Sequence, residues 1–321
     1  MHRYAHFREP TRIIISGYPD LSGTLLKQRA QAKRRFLVDT KDENVFPNRG
    51  KLKFDKLKET VTVRLHAPCG LVHVSVPVLD GGARSDPSQP VSFISADSFV
   101  TGVDVRVRVP SDLLWPELHG RTSVIADFSY GGAFYCLVSA KELGFENGLS
   151  KLNMKAIDTA TRNLKSAANN NSNMAYIFEH PEHADLSFLY SVIVVDDQLG
   201  EPLAGSQSAE SGLCFFADQQ VDRSPTGSGV SARLVLAYAK GQLQLGESST
   251  YHSLVSLHKH GSAAFVGTLV EDSSSQNVAP YPRVKTRVEG HASYTGASTF
   301  VVEAGDVLGD EGFLMSDFQH R

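Results

Sequence analysis

Polar and apolar residues alternate through residues 60–78, TVTVRLHAPCGLVHVSVPV, around a central Pro68-Cys69-Gly70. That period of two predicts a pair of strands joined at the Pro-Cys-Gly step. A β-branched run at residues 11–18 predicts a strand stopped by Pro19. Further strand-like runs lie at 91–109, 122–138, 190–196, 212–217, 263–270 and 297–303, with polar loops at 82–90, 197–211 and 271–280. Helical spacing appears at 22–35, where Leu25, Leu26, Ala30 and Ala32 stand among Lys27, Arg29, Lys33, Arg34 and Arg35. Its basic face reads as a solvated surface. A second helix is predicted near 152–168, with Leu152, Ile157 and Leu164 on one side. Strands outnumber helices, so the expected fold class is α+β with a mostly antiparallel sheet.

A third helix follows residue 229. Val230, Ala232, Leu234, Val235, Leu236, Ala237 and Tyr238 leave Arg233 and Lys240 as its charges. A helix apolar nearly all round is buried on most sides. Gly241 offers a C-cap, and Lys240 places a cation where the dipole favours one. A short buried helix among strands implies a sheet curled around it.

The mouth of that helix carries the candidate chemistry. First-turn N–H groups lack internal acceptors, and glycine lets a ligand approach the backbone. Gly227, Ser228 and Gly229 therefore form an anion site suited to a carboxylate or a phosphate. The ordinary alternative is a helix start capped by Thr226 or Ser228. Asp222, a few residues earlier, adds a partner for an ammonium, which suits a zwitterion; as a turn residue it is equally well explained. Phe216 either walls the pocket or fills the core.

Composition narrows the classes. The chain has 321 residues, 41% hydrophobic and 21% charged, which is globular. A net charge of −3 leaves no basic excess for a phosphate backbone, so no nucleic-acid partner is expected. No apolar run reaches the length a bilayer needs, and the N-terminus lacks an apolar signal core. Three cysteines, Cys69, Cys136 and Cys214, are odd in number and widely spaced. They read as free thiols in a reducing, cytoplasmic setting. Twelve histidines show no metal-ligand spacing, so neither a metal nor a cofactor is expected.

Asp222-Arg223-Ser224-Pro225-Thr226-Gly227-Ser228-Gly229, then Ser231-Ala232-Arg233 and Tyr238-Ala239-Lys240-Gly241, resemble the signature of the proline racemase family. Glu9-Pro10-x-Arg12-Ile13, Ser16-Gly17-Tyr18-Pro19, Tyr130-Gly131-Gly132-Ala133-Phe134-Tyr135 and Gly290-His291-Ala292-Ser293-Tyr294-Thr295-Gly296 add to the match. The resemblance implies a diaminopimelate-epimerase-like fold, two lobes that each curl a sheet around a central helix, with the site between them. It implies a small imino-acid substrate and is compatible with a homodimer. Family racemases set two cysteines across the substrate's α-carbon, and Thr226 stands at the position of the second. A threonine hydroxyl exchanges protons poorly near neutral pH, which disfavours 4-hydroxyproline epimerase or proline racemase. Cys in the first lobe with Thr in the second resembles trans-3-hydroxy-L-proline dehydratase, a hydro-lyase. There one base removes the α-proton and the 3-hydroxyl leaves, giving 1-pyrroline-2-carboxylate. By resemblance Asp222 holds the ring ammonium, Gly227 and Ser228 hold the carboxylate, and Phe216 shields the reacting centre.

The first lobe departs from the pattern. E-P-R-G-H and M-C-G-H, whose Cys is the family's base, are absent from the sequence, and the match is interrupted at Arg34-Arg35. Two lobes of ordinary size would need roughly 60–70 more residues there. The expected organisation is a truncated first lobe over 1–90, a second lobe over 91–300, and a segment 301–321 returning to the first. Cys69, Cys136 and Cys214 read as small apolar residues without a helix N-terminus to activate them. His66, His73 and His291 are bases by type only. The expected alternative to an active dehydratase is a catalytically dead splice variant or misjoined gene, at most a binding half-site.

Overall fold

The computed structural model describes residues 2–6, 9–13, 52–55, 59–82, 84–274, 281–297 and 305. The expected helix at 22–35, the Arg34-Arg35 joint and most of the segment after 297 lie outside these residues. The strands are β1 (His2–His6), β2 (Glu9–Ile13), β3 (Leu52–Asp55), β4 (Thr60–Ala67), β5 (Gly70–Leu79), β6 (Arg84–Ser85), β7 (Val91–Ile94), β8 (Ser98–Arg108), β9 (Ser123–Tyr130) and β10 (Phe134–Ser139). After helix α1 (Met154–Asn169) come β11 (Leu189–Asp196), β12 (Ser208–Phe216) and β13 (Gln220–Val221). Helix α2 (Gly227–Ala239) leads to β14 (Ser248–His252), the short helix α3 (Leu254–His258), β15 (Phe265–Asp272), β16 (Arg283–Gly290) and β17 (Ala292–Ala297).

One path of strands runs β15-β14-β12-β11-β10-β9-β8-β16, and β16 pairs back onto β15. The sheet thus closes into a barrel, so the predicted curl is complete. Closure of this kind removes open edges. Two pairings in the ring are parallel, β10 with β11 and β12 with β14. A parallel pair requires a crossover, and α1 and α2 supply them. Strand β8 slips register twice against β9, between Val100 and Gly102 and between Gly102 and Val105. Such bulges bend a strand and add twist, which a closing sheet needs. From the barrel, β7 pairs with β16 and carries β5, β4 and β3 outward as antiparallel neighbours. Strands β17, β1 and β2 form a separate sheet.

Helix α2 packs against β8, β9, β10, β15 and β16, inside the ring. Its Val230, Ala232, Leu234 and Val235 are wholly buried, as an all-round apolar helix requires. Helix α1 has one apolar face and packs outside, with Ile157, Ala160 and Leu164 buried. The period of two sorts β10 between these helices. Phe134, Cys136 and Val138 join the α1 cluster, while Tyr135 and Leu137 join the cluster that contains Ala232 of α2. Ser129 Oγ donates to Ala232 O at 2.8 Å, and Thr286 Oγ1 to Ser231 Oγ at 2.8 Å, tying α2 to opposite walls.

Most predicted elements have counterparts. The pair at 60–78 is β4 and β5, and the helices expected near 152–168 and after 229 begin within two residues of expectation. Several strands were not predicted: β1, β3, β6, β13, β14 and β16. β14 reads SSTYH, too polar for a hydrophobic signal, yet four of its five residues are buried, Ser249 and Thr250 through hydroxyl pairs with Ser208 Oγ at 2.9 Å and Ser206 Oγ at 2.8 Å. β16 does alternate, with Val284, Thr286 and Val288 buried and Arg287 exposed between the last two. The polar loop at 197–211 ends early, because β12 begins at Ser208.

Candidate functional site

The turn before α2 is organised by Asp222. Its own N–H donates to Cys214 O on β12 at 3.0 Å, fixing it beside the barrel rim. Its carboxylate accepts from Ser224 N–H at 2.8 Å through Oδ1 and from Thr226 Oγ1 at 2.7 Å through Oδ2. Thr226 N–H in turn donates to Ser224 Oγ at 3.1 Å. Asp222 therefore shapes its own turn, the local role its sequence context allows, and remains half-buried.

Thr226 occupies the N-cap with φ 65° and ψ 97°. A positive φ is unusual for a β-branched residue and stores strain that the surroundings must hold. Its hydroxyl makes no cap hydrogen bond, being turned to Asp222 instead. The first-turn N–H groups of α2 are consequently left without a side-chain cap, and Gly227 and Ser228 are half-exposed. That is the condition under which a helix start binds an anion.

Ser228 Oγ lies 2.6 Å from the hydroxyl of Tyr135, which is wholly buried on β10. Burial chiefly raises the Tyr135 phenol well above its usual range, so it stays a neutral partner. A Cβ on Gly227 would meet the Phe93 ring of β7 at 3.1 Å, so an aromatic face stands against the mouth. Gly131 passes so close to the first turn of α2 that a Cβ there would overlap Ser228 O and Ala232 N. The Tyr130-Gly131-Gly132 motif is thus the seat on which the helix start rests. Phe216 is buried in the cluster with Tyr135, Ile193, Cys214 and Ala232, and stacks on Tyr190 with ring centroids 6.4 Å apart.

The three thiols fall in two environments. Cys136 is fully buried, and desolvation drives its pKa upward. Cys214 is also buried, in contact with Ser191 Oγ at 3.0 Å and close to Thr226 and Asp222. Burial first, then the Asp222 charge, push it up to about 12, so it stands behind the mouth as a neutral thiol. Cys69, expected to be remote from any helix start, is in fact near one. A Cβ on Gly132 would lie 3.5 Å from both Cys69 Sγ and Ser228 Cβ. Burial raises the Cys69 thiol too, against an opposing hydrogen bond from its own backbone. No local signal in Pro68-Cys69-Gly70 could have located it, because β5, β7 and β16 bring that turn to α2. His73 is exposed on β5.

Sequence reading also missed His180. It packs edge-on to Tyr130, with ring centroids 4.8 Å apart, and its Nδ1 accepts from the N–H groups of Glu182 and His183 at 3.2 and 3.0 Å. Burial lowers its pKa below 6.5, with His183 adding to that effect. The Tyr130 hydroxyl beside it is buried without a hydrogen-bond partner.

The fold is shared with a solved hydroxyproline epimerase from Agrobacterium vitis, at a TM-score of 0.70 and 20% identity, covering 98% of this chain and 94% of that one. The chain superposes on a probable proline racemase from Agrobacterium radiobacter K84, crystallised with bound carbonate, at a TM-score of 0.70 and 20% identity, covering 98% of this chain and 96% of that one. The family model described as proline racemase matches residues 43–314, and the chain belongs to the proline racemase family. It is 38% identical over 256 residues to the trans-L-3-hydroxyproline dehydratase of Mus musculus, covering 79% of this chain. To the 3-hydroxyproline 2-epimerase of Burkholderia multivorans it is 30% identical over 253 residues, again 79% of this chain. The chain spans 62% of the length of the mouse relative and 65% of the bacterial one. Among the described residues no helix is long and apolar enough to cross a membrane.

Proposed function

We propose that this chain is a trans-3-hydroxy-L-proline dehydratase-like protein that takes a cyclic imino acid at the mouth of α2. The observation that carries the reading is the Thr226–Asp222 hydrogen bond, which leaves the helix start uncapped and places a carboxylate beside it. The substrate carboxylate takes the Gly227 and Ser228 amides, and the ring ammonium takes Asp222. Phe216 backs the Tyr135 that holds Ser228. Thr226, bonded to a carboxylate, carries no proton across the α-carbon, which favours elimination over inversion. In that reaction the α-proton and the 3-hydroxyl leave as water, and the enamine tautomerises to 1-pyrroline-2-carboxylate. The greater identity to a dehydratase than to an epimerase supports the same choice. Three thiols with no disulfide among them support a reducing, cytoplasmic setting. The division into a short first lobe (1–90), a second lobe (91–300) and a returning segment (301–321) is part of this reading.

A binding half-site without turnover is the second reading. It is favoured by Cys214 and Cys136, both held as neutral thiols, and by the missing M-C-G-H segment. Incubation of purified protein with trans-3-hydroxy-L-proline separates the two. Accumulating pyrroline carboxylate is the expected result. Binding of substrate with no product above background assigns the half-site instead, and inversion at the α-carbon would return the epimerase reading.

A further inference from the structure

Two of the thiols lie near the α2 mouth. Cys214 is buried behind it. Cys69 stands on the turn between β4 and β5 and is half-buried. A Cβ on Gly132 would lie 3.5 Å from Cys69 Sγ and 3.5 Å from Ser228 Cβ, so at most twice that distance separates the two atoms. A five-membered ring whose carboxylate takes the Ser228 amide spans such a gap. The other polar groups at the mouth have tasks already. Thr226 donates to Asp222, Asp222 is assigned to the ring ammonium, and Tyr135 is paired with Ser228.

Near Cys69 is a buried group with no partner. Tyr130 is 1% exposed, and its hydroxyl makes no hydrogen bond among the described residues. Burial chiefly, and then the nearness of Cys69, raise its phenol, so it stays a neutral O–H. A buried hydroxyl left unpaired is costly unless a ligand or water supplies the bond. Tyr130 leads directly into Gly131 and Gly132, which lie against the start of α2 and against Cys69. The idle hydroxyl, the thiol and the helix start are therefore gathered at one turn.

In trans-3-hydroxy-L-proline the 3-hydroxyl is trans to the carboxylate, so it lies on the same face of the ring as the α-proton. We propose that Cys69 is the base that removes the α-proton, and that the Tyr130 hydroxyl bonds the substrate's 3-hydroxyl on the same face. This assignment rests on the imino-acid reading of the α2 mouth and names its catalytic group. The Cys69 thiolate takes the α-proton, forming S–H and leaving an electron pair on Cα. That pair becomes the Cα–C3 double bond as the C3–O bond breaks. The departing hydroxide takes the proton back from sulfur and leaves as water, so the thiolate is regenerated. Burial raises the Cys69 thiol, which makes its thiolate scarcer and more basic.

Turnover of trans-3-hydroxy-L-proline by the full chain, with calorimetric binding of pyrrole-2-carboxylate measured in parallel, tests it. Cys69→Ser should lower kcat by roughly 100-fold or more and bind pyrrole-2-carboxylate as the wild type does. Tyr130→Phe should lower kcat/KM about tenfold and leave the binding of pyrrole-2-carboxylate, which has no hydroxyl, unchanged. Cys136→Ala, in the cluster around α1, should keep the wild-type kcat. Wild-type kcat in Cys69→Ser overturns the proposal and leaves the dehydratase reading standing. Loss of ligand binding together with kcat in that variant also overturns it, giving Cys69 a structural place. Wild-type kcat/KM in Tyr130→Phe removes the hydroxyl contact. A native chain that binds pyrrole-2-carboxylate without forming product overturns the proposal in favour of the half-site. Neither binding nor product overturns the imino-acid reading itself.

Discussion

The hydroxyl of Thr226, the N-cap of α2, donates to Asp222 Oδ2 across 2.7 Å. Each residue keeps the other from its ordinary job. Thr226 does not cap the helix, and Asp222 keeps one oxygen for Ser224 and one for Thr226. Thr226→Val removes the donor with little change of shape. It should lower stability by about 1–2 kcal/mol in urea unfolding, because a carboxylate oxygen loses its partner. Thr226→Ser should keep most of the stability. A loss in Thr226→Ser with none in Thr226→Val would show that the methyl, not the hydroxyl, matters.

Gly131 gives the helix start its seat, and any side chain there meets backbone atoms of Ser228 and Ala232. Backbone yields less readily than a flexible side chain. Gly131→Ala should therefore cost about 2 kcal/mol or more. Chemical denaturation checks it, and a neutral result would mean that α2 can shift as a body.

His180 makes stability depend on pH. Its Nδ1 accepts two N–H groups, so the folded protein favours the neutral ring, and burial lowers the pKa from 6.5. A histidine with a depressed folded pKa contributes stability that is present above 6.5 and is lost as pH falls through that value toward the folded one. Melting temperature should drop from about pH 7.5 to about pH 5, and His180→Gln should flatten part of that slope. An unchanged slope in the variant would assign the effect to other groups.

The thiols give a test of geometry. Cys136 and Cys214 are buried, and Cys69 is half-buried beside Ser228. Of the three, one should react with an aromatic disulfide in the native state and all three in denaturant. Reaction should speed up as pH rises, since burial holds the Cys69 thiol protonated. Pyrrole-2-carboxylate, a planar mimic of the deprotonated imino acid, should slow it. Protection of a different cysteine would separate Cys69 from the site.

Local chemistry was legible where neighbours in sequence are neighbours in space. The period of two found β4 and β5, and the unbroken apolar surface of Val230, Leu234 and Val235 announced a helix inside a curled sheet. The turn from Asp222 to Thr226 is also local, and both of its readings were available from the residues. What escaped depends on tertiary placement. In β14, Ser249 and Thr250 are buried through hydroxyl pairs that no hydrophobic scale counts. Cys69 comes to Gly132, which also lies against Ser228, only because β7 bridges β5 to the barrel. The buried ion pair of Arg233 is invisible until Glu210, from β12, is set 3.3 Å away.

The most direct measurement is an amide NMR titration of the chain with pyrrole-2-carboxylate. The account predicts saturable shifts that are largest at the Gly227 and Ser228 N–H groups and are weakened in Asp222→Asn. Shifts centred elsewhere, or none at saturating ligand, would contradict it.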